Sequence, residues 1–499
     1  MNSANINLSL SDNCFAPFSA FRLTRAKVVW VNMPLLHQYR LFVGKQQQDQ
    51  EVVDWLLDEF AYTTFSDLPG VDQSRQSLFY AERYGGQAIN RNGGGARAGL
   101  KGDFQVKGMG PNLLVGEGSD FWYSHGSATL VDMIQEALWG EVCHHLLPHG
   151  SVRCLAVIQT GLDAIGDNKK KQATLPGGLV VRENALRLAH FERAPFFSPS
   201  PKAKGLATDR DRTRAALASL KCSIERILDT QVTSLSYGLK ALLERWAVQF
   251  AYAKSVRLMH GAVTSSNLCL DGRWIDFGTI SALGKHANII CGRGNPPFWH
   301  DHIPIYDSIY NLCFYINKLA PGSDGSVASD ALVQHFTQHF EQAMQQYFIA
   351  LVGIPLRYAE RVADCQAARD FYLHLLRMLQ MGGLEPHTKI PTHQDQVTFY
   401  GYAEIQALLD GTKICRSRLE ESLITLFDAL VVQIEAIAGS DFMNERQLIL
   451  QERESNLDPL HFDLLREEIA WITSSPDLQH EIRELIDSRV QLACNMRLR

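Results

Sequence analysis

The 499-residue sequence lacks several features that would place it at once. It has no surplus of positive charge, since 48 Lys and Arg stand against 54 Asp and Glu for a formal net charge of −6. Bulk nucleic-acid binding needs a basic footprint, so no nucleic-acid partner is expected. Ten cysteines are scattered with no C-x-x-C pair, a pattern that offers no zinc site and suits free thiols in a reducing compartment. The first fifteen residues are polar and rich in Ser and Asn, with no cationic start before an apolar core. No secretory signal is therefore expected, and the cytoplasm is the expected location. The longest apolar stretch, Leu423 to Gly439, is interrupted by Asp428, Gln433 and Glu435. It predicts an amphipathic helix, and no membrane span is expected.

What is present is an ordinary globular composition, 46% hydrophobic and 20% charged, in a chain long enough for about two to four folding units. The first 110 residues read as strands and turns, with strand-like Lys27 to Asn32 and Phe104 to Lys107 and glycine clusters at Gly85-Gly86 and Gly93 to Gly95. Leu130, Ile134, Leu138 and Val142 stand at helical spacing and predict a helix from about Ala128 to Leu147. Residues 150–192 return to strand character around a polar loop, Asp163 to Gly178, that holds Lys169, Lys170 and Lys171. A Pro/Ser/Lys segment from Pro195 to Asp211 reads as a linker. Beyond it Leu239, Leu242, Leu243, Trp246 and Phe250 mark one stripe of a long helix, and amphipathic helices continue to the end. Between Asp441 and Asp487, 12 acidic residues against 4 Arg predict a solvated helical face. The expected organisation is a β-rich lobe over 1–195, a linker and the start of a helical lobe over 196–325, and a helical region over 326–499.

The chemistry-bearing residues come in a telling order: a glycine loop at Gly93 to Gly95, a strand-borne Lys107, a helix-borne Glu136, then Asn267 and the triplet Asp276-Phe277-Gly278. Glycines let backbone amides approach phosphate, lysine neutralises phosphate charge, and a helix glutamate orients the lysine. Asn267 and Asp276 stand nine residues apart across a short hairpin and offer two oxygen ligands for Mg²⁺.

Tyr84-Gly-Gly, Gly94-Gly-Ala-Arg97-Ala98, Gln105-Val-Lys107-Gly-Met-Gly110-Pro, Ile134-Gln-Glu136-Ala-Leu, Pro176-Gly-Gly-Leu-Val-Val-Arg182 and Leu186-Arg187-Leu-Ala-His190-Phe-Glu192 resemble the SelO family over roughly Lys27 to Pro321. The family consists of pseudokinase-fold enzymes that transfer AMP from ATP to protein hydroxyls. The resemblance implies an α+β, protein-kinase-like two-lobed fold with a largely helical C-terminal region. It also implies ATP and Mg²⁺ as cofactors. Gly94, Arg97, Lys107, Gly126, Arg182, Arg187 and Asp276 would contact nucleotide, Glu136 would orient Lys107, and Asn267 with Asp276 would hold the metal. Paired guanidiniums suit phosphate because each offers a rigid donor fork.

The departures are selective. Where the family has H-G-V-L-N-T-D-N the chain has His260-Gly-Ala-Val-Thr-Ser-Ser266-Asn267, so Ser266 stands at the position of the proposed catalytic acid. A serine does not take a proton at neutral pH without a further base. The family's D-G-R-A becomes His125-Gly126-Ser127-Ala128, and of its C-terminal redox pair only Cys494 is present. The resemblance thus implies a specialised AMP-transferring paralogue acting on a protein or peptide, with siderophore-microcin maturation of the MchC or MceJ type and a small acyltransferase-like partner subunit as one context. A catalytically inactive scaffold that recruits a partner enzyme is the alternative.

Other clusters invite blander readings. His335 and His339 stand at i and i+4 with Phe-Thr-Gln between them and no zincin glutamate. His144, His145 and His149 read as residues flanking a helix C-terminus, where positive character is favourable. Trp299, His300, Asp301 and His302 read either as an acceptor-site wall or as a buried turn.

Overall fold

The computed structural model describes residues 10–86, 89–165, 174–290, 295–321, 326–381, 384–385, 400–439 and 442–499. Its β-branched and alternating N-terminal segments pair into one antiparallel eight-stranded sheet: β1 (Phe15–Leu23), β2 (Lys27–Val31), β3 (Tyr62–Thr63), β4 (Val71–Glu82), β5 (Ala98–Lys101), β6 (Phe104–Lys107), β7 (Cys154–Ile165) and β8 (Thr174–Glu183). The order across the sheet is β2-β7-β8-β6-β5-β4-β1-β3. Strands β6 and β8 pair with Gln105 opposite Arg182 and Lys107 opposite Val180. Side chains two apart on a strand, and those directly opposite on its partner, share a face. Gln105, Lys107 and Arg182 therefore emerge together although 75 residues separate Lys107 from Arg182.

The helix Leu130–Leu146 lies against the sheet. It starts at a capping box, in which Thr129 Oγ1 accepts from Asp132 N at 3.1 Å while Asp132 receives the Thr129 N–H, satisfying two otherwise orphaned donors. Nearly its whole circumference is buried, as expected for a helix covered on both sides. The sheet covers one side, and the helices Phe462–Ile472 and Leu478–Met496 cover another.

Three local expectations are corrected. The first 110 residues also hold the helices Met33–Gln38 and Gln50–Phe60, the second burying Val52, Leu56 and Phe60 on one stripe. β7 and β8 run on into the segment read as a polar loop, while Lys169, Lys170 and Lys171 lie outside the described residues. The segment read as a linker is largely exposed but anchored at one point: partly buried Leu206 packs against a cluster of Ala16, Ala81, Ala96 and Leu114, and Arg83 donates to Leu206 O at 2.6 Å. Just beyond, fully buried Arg212 donates to His190 O and Glu192 O, both at 2.5 Å.

From Asp209 onward helices dominate. The longest pair, Leu235–Ser255 and Ser329–Leu351, lie side by side, and Leu239, Leu242, Leu243, Trp246 and Phe250 are all buried. The helix Arg418–Ala438 turns Leu423, Phe427, Leu430 and Ile434 inward. Among the described residues no single helix is long and apolar enough to cross a membrane.

Candidate functional site

A cleft of about 190 Å³ opens beside β5 and β6, and Arg97, Lys107, Arg182, Arg187, Ser266 and Asp276 are among its walls. Its centre is an ionic knot. Lys107 Nζ reaches Glu136 Oε2 at 2.9 Å and Asp276 Oδ1 at 2.6 Å. Arg182 Nη1 donates to Glu136 Oε1 and, at 2.9 Å, to Asp276 Oδ1. Arg187 Nη1 donates to Asp276 Oδ2 and to Ser266 O, both at 2.7 Å. Three cations thus converge on one aspartate, whose side chain keeps 25% of its surface exposed to the cleft. Lys107 and Arg182 have less than a tenth exposed.

Burial opposes ionisation of Asp276, but Arg182, Lys107 and Arg187 outweigh it and hold the carboxyl well below the usual carboxylate range. The backbone at Asp276 has φ +65°, a left-handed conformation uncommon for a residue with a side chain. It follows a hairpin in which Leu268 bridges Trp274. His260 Nε2 lies 3.1 Å from Ile275 O, fixing the approach to Asp276.

Other contacts were not visible in the sequence. Arg182 Nε and Nη2 both donate to Gln105 Oε1, at 2.8 and 2.6 Å, and Gln105 in turn donates to Glu82. The Arg187 guanidinium carbon sits 5.3 Å from the centre of the Tyr84 ring, within cation–π range. Trp122 and Tyr123, both substantially exposed, stand at the rim. The only available signal was the register of β6 against β8, which a single sequence does not specify.

Two of the named residues stand back from the cleft. A Cβ on Gly126 would lie 2.3 Å from Gly110 C and Pro111 N, so this glycine lets two loops cross just beyond Lys107. Asn267 donates its amide to Ala262 O at 2.9 Å, and its Oδ1 has a 3.4 Å contact from Ser266 Oγ. Gly94 belongs to the wall, and its absent Cβ is what allows the loop to touch β4, where Glu82 O would lie 2.1 Å away. Of the aromatic and polar cluster at 299–302, Trp299, Asp301 and His302 form a buried turn while His300 is exposed, and Asp301 accepts from His260 N at 3.0 Å and Gly261 N at 3.2 Å. His144 and His149 do not supply positive charge, because burial and neighbouring arginines pull them down to about 3 and about 4.

No family model matches the chain. Among curated proteins it is similar to protein nucleotidyltransferase YdiU of Pectobacterium carotovorum subsp. carotovorum (strain PC1), 26% identical over 289 residues, 56% of this chain and 53% of that protein. The same-named protein of Alkaliphilus metalliredigens (strain QYMF) is 28% identical over 186 residues, 37% of this chain and 33% of its own length. That of Jannaschia sp. (strain CCS1) is 24% identical over 391 residues, 76% of this chain and 74% of its own. These similarities support reading the chain as a divergent SelO-family member. It spans about half the length, or less, of the first of these relatives. Ser266, which the sequence resemblance sets at the place of an acid, engages Thr264 Oγ1 through its hydroxyl at 2.9 Å. Its neighbour Ser265 donates to the buried carboxylate of Glu192 at 2.8 Å.

Proposed function

We propose that the chain binds ATP with Mg²⁺ in this cleft, on a kinase-like two-lobed scaffold, and transfers AMP to a hydroxyl of a protein or peptide. The observation that carries this reading is the convergence of Lys107, Arg182 and Arg187 on Asp276 at the wall of an accessible cleft. Such a knot is preorganised to open: phosphate oxygens take the guanidinium and ammonium donors, and the released carboxylate is free for a cation. Arg187 Nε is buried without a hydrogen-bond partner among the described residues, a spare donor that phosphate would satisfy, and exposed Arg97 adds charge at the mouth.

In this reading Glu136 keeps Lys107 aimed while Arg182 and Arg187 hold phosphate. Asp276 would hold Mg²⁺, with the side-chain oxygen of Asn267 as second ligand once it turns from Ser266 toward the cleft; the ion when bound neutralises developing negative charge. The acceptor hydroxyl attacks the α-phosphorus, the bond to the β-phosphate oxygen breaks, and pyrophosphate leaves. The hydroxyl proton passes to solvent water or to the departing pyrophosphate, because Ser266 is not a base, and rate rests on positioning and charge stabilisation. Purified protein incubated with ATP labelled on the α-phosphate should place label on protein or peptide only with Mg²⁺. Asp276→Ala and Asp276→Asn should both abolish transfer, and undiminished transfer by either variant would overturn the reading.

Ser266 favours a second reading, a nucleotide-binding scaffold without turnover that recruits a partner enzyme. Ser266→Asp separates the two, since a gain in AMP transfer places the position in catalysis and no change leaves the scaffold. The finer context, maturation of a siderophore-carrying peptide with a small acyltransferase-like subunit, rests on the sequence resemblance and Ser266. Its test is pull-down of such a subunit and a peptide precursor from the native host.

A further inference from the structure

The i, i+4 histidines lack a third ligand in the sequence, and the fold supplies one. Glu244, on the helix Leu235–Ser255, faces His335 and His339 on the helix Ser329–Leu351. His335 Nε2 lies 2.8 Å from Glu244 Oε1, and His339 Nε2 lies 3.6 Å from the same oxygen. One donor atom from each of the three residues falls within 4.8 Å of the other two. Four ligands at about 2.0–2.2 Å from a tetrahedral ion sit roughly 3.4 Å from one another, so the three atoms need little movement to share an ion.

The tautomer is also arranged. His339 Nδ1 lies 2.9 Å from His335 O, a backbone acceptor that keeps the proton on Nδ1 and leaves the Nε2 lone pair for a metal. The side chains remain 18%, 32% and 45% exposed for His335, His339 and Glu244, so an ion can enter from solvent and keep a water as fourth ligand. Two imidazoles and one carboxylate suit Zn²⁺ and its first-row neighbours rather than Mg²⁺, which favours oxygen ligands.

We infer that Glu244, His335 and His339 form a Zn²⁺ site that joins the helices Leu235–Ser255 and Ser329–Leu351, separate from the cleft. The ion would clasp together the helix that leads through Leu258 and Met259 into the His260 loop and the helix packed along it. The full chain, stripped with chelator and dialysed, is titrated with Zn²⁺ and with Co²⁺ as a spectroscopic probe. One ion per chain is expected, with a Co²⁺ spectrum of nitrogen and oxygen ligation and a rise in Tm on loading. His339→Ala and Glu244→Gln should each weaken Zn²⁺ binding by at least about tenfold and remove the Tm rise, with far-UV circular dichroism unchanged. Asp276→Ala should leave Zn²⁺ binding as it was. Absence of Zn²⁺ binding, a thiolate charge-transfer band in the Co²⁺ form, or unchanged affinity in both site variants would overturn the site.

Discussion

Glu192 accepts from Ser265 through one carboxylate oxygen, while its other oxygen is buried without a partner among the described residues. Burial pushes its pKa from 4.5 up to about 7, against the opposing pull of Ser265 and Arg212. Because the folded value lies above the unfolded one, its contribution to stability is complete below about pH 4.5 and is lost as pH rises through 7. Glu192→Gln should remove that loss. Relative to the parent, the variant should be more stable at pH 8 than at pH 5 by up to about 3 kcal/mol, measured by urea unfolding at both pH values. Equal differences at the two pH values would show that Glu192 is ionised throughout. At this scale, Lys107, Glu136, Arg182, Arg187 and Asp276 could be named from the sequence because each sits in a recognisable string, and the fold brings all five into contact. Glu82 and Gln105 could not be assigned their partners, since those depend on which strands become neighbours.

Among the elements, the glycine loop separates space from mere flexibility. At Gly94 an added Cβ meets Glu82 O at 2.1 Å and Tyr84 N at 2.7 Å, and φ is +140°, whereas at Gly95 the nearest atoms lie at 3.7 Å. Gly94→Ala should displace the loop from β4 and weaken ATP binding by tenfold or more, roughly 1.4 kcal/mol, while Gly95→Ala should bind nearly as the parent does. Isothermal titration with ATP compares them, and equal losses would mean that the loop is not held by this contact. Long periodic helices were legible, since the expected span from Ala128 to Leu147 corresponds to Leu130–Leu146. The helix Gln50–Phe60 was passed over because its three-turn stripe sits among strand-like neighbours. The linker composition of Pro195 to Asp211 matches its mostly exposed residues but does not reveal the anchoring of Leu206 against the Ala16, Ala81 and Leu114 cluster.

For the whole molecule, the C-terminal helices stand behind the site. Leu478–Met496 packs on the Glu136-bearing helix and on β2, Gln479 donates to Val28 O at 2.7 Å, and Arg466 pairs with Asp132 at 2.8 Å. Ile482 and Ile486 are buried in that contact region, and burial of this kind is the main source of stability. A chain ending at residue 477 should therefore expose apolar surface, aggregate on size-exclusion chromatography and lose ATP binding. A monodisperse truncation with undiminished ATP affinity would show that the site stands without this support.

The three cations gathered on Asp276 have a thermodynamic corollary. A polyanion arriving alone must compete with the carboxylate for the same donors, and a divalent cation arriving alone must enter a shell already crowded with positive charge. On the proposed function, each visitor would clear the obstacle facing the other, and the pocket would behave as a coincidence detector, with the affinity of either ligand raised by the same factor when the other is present.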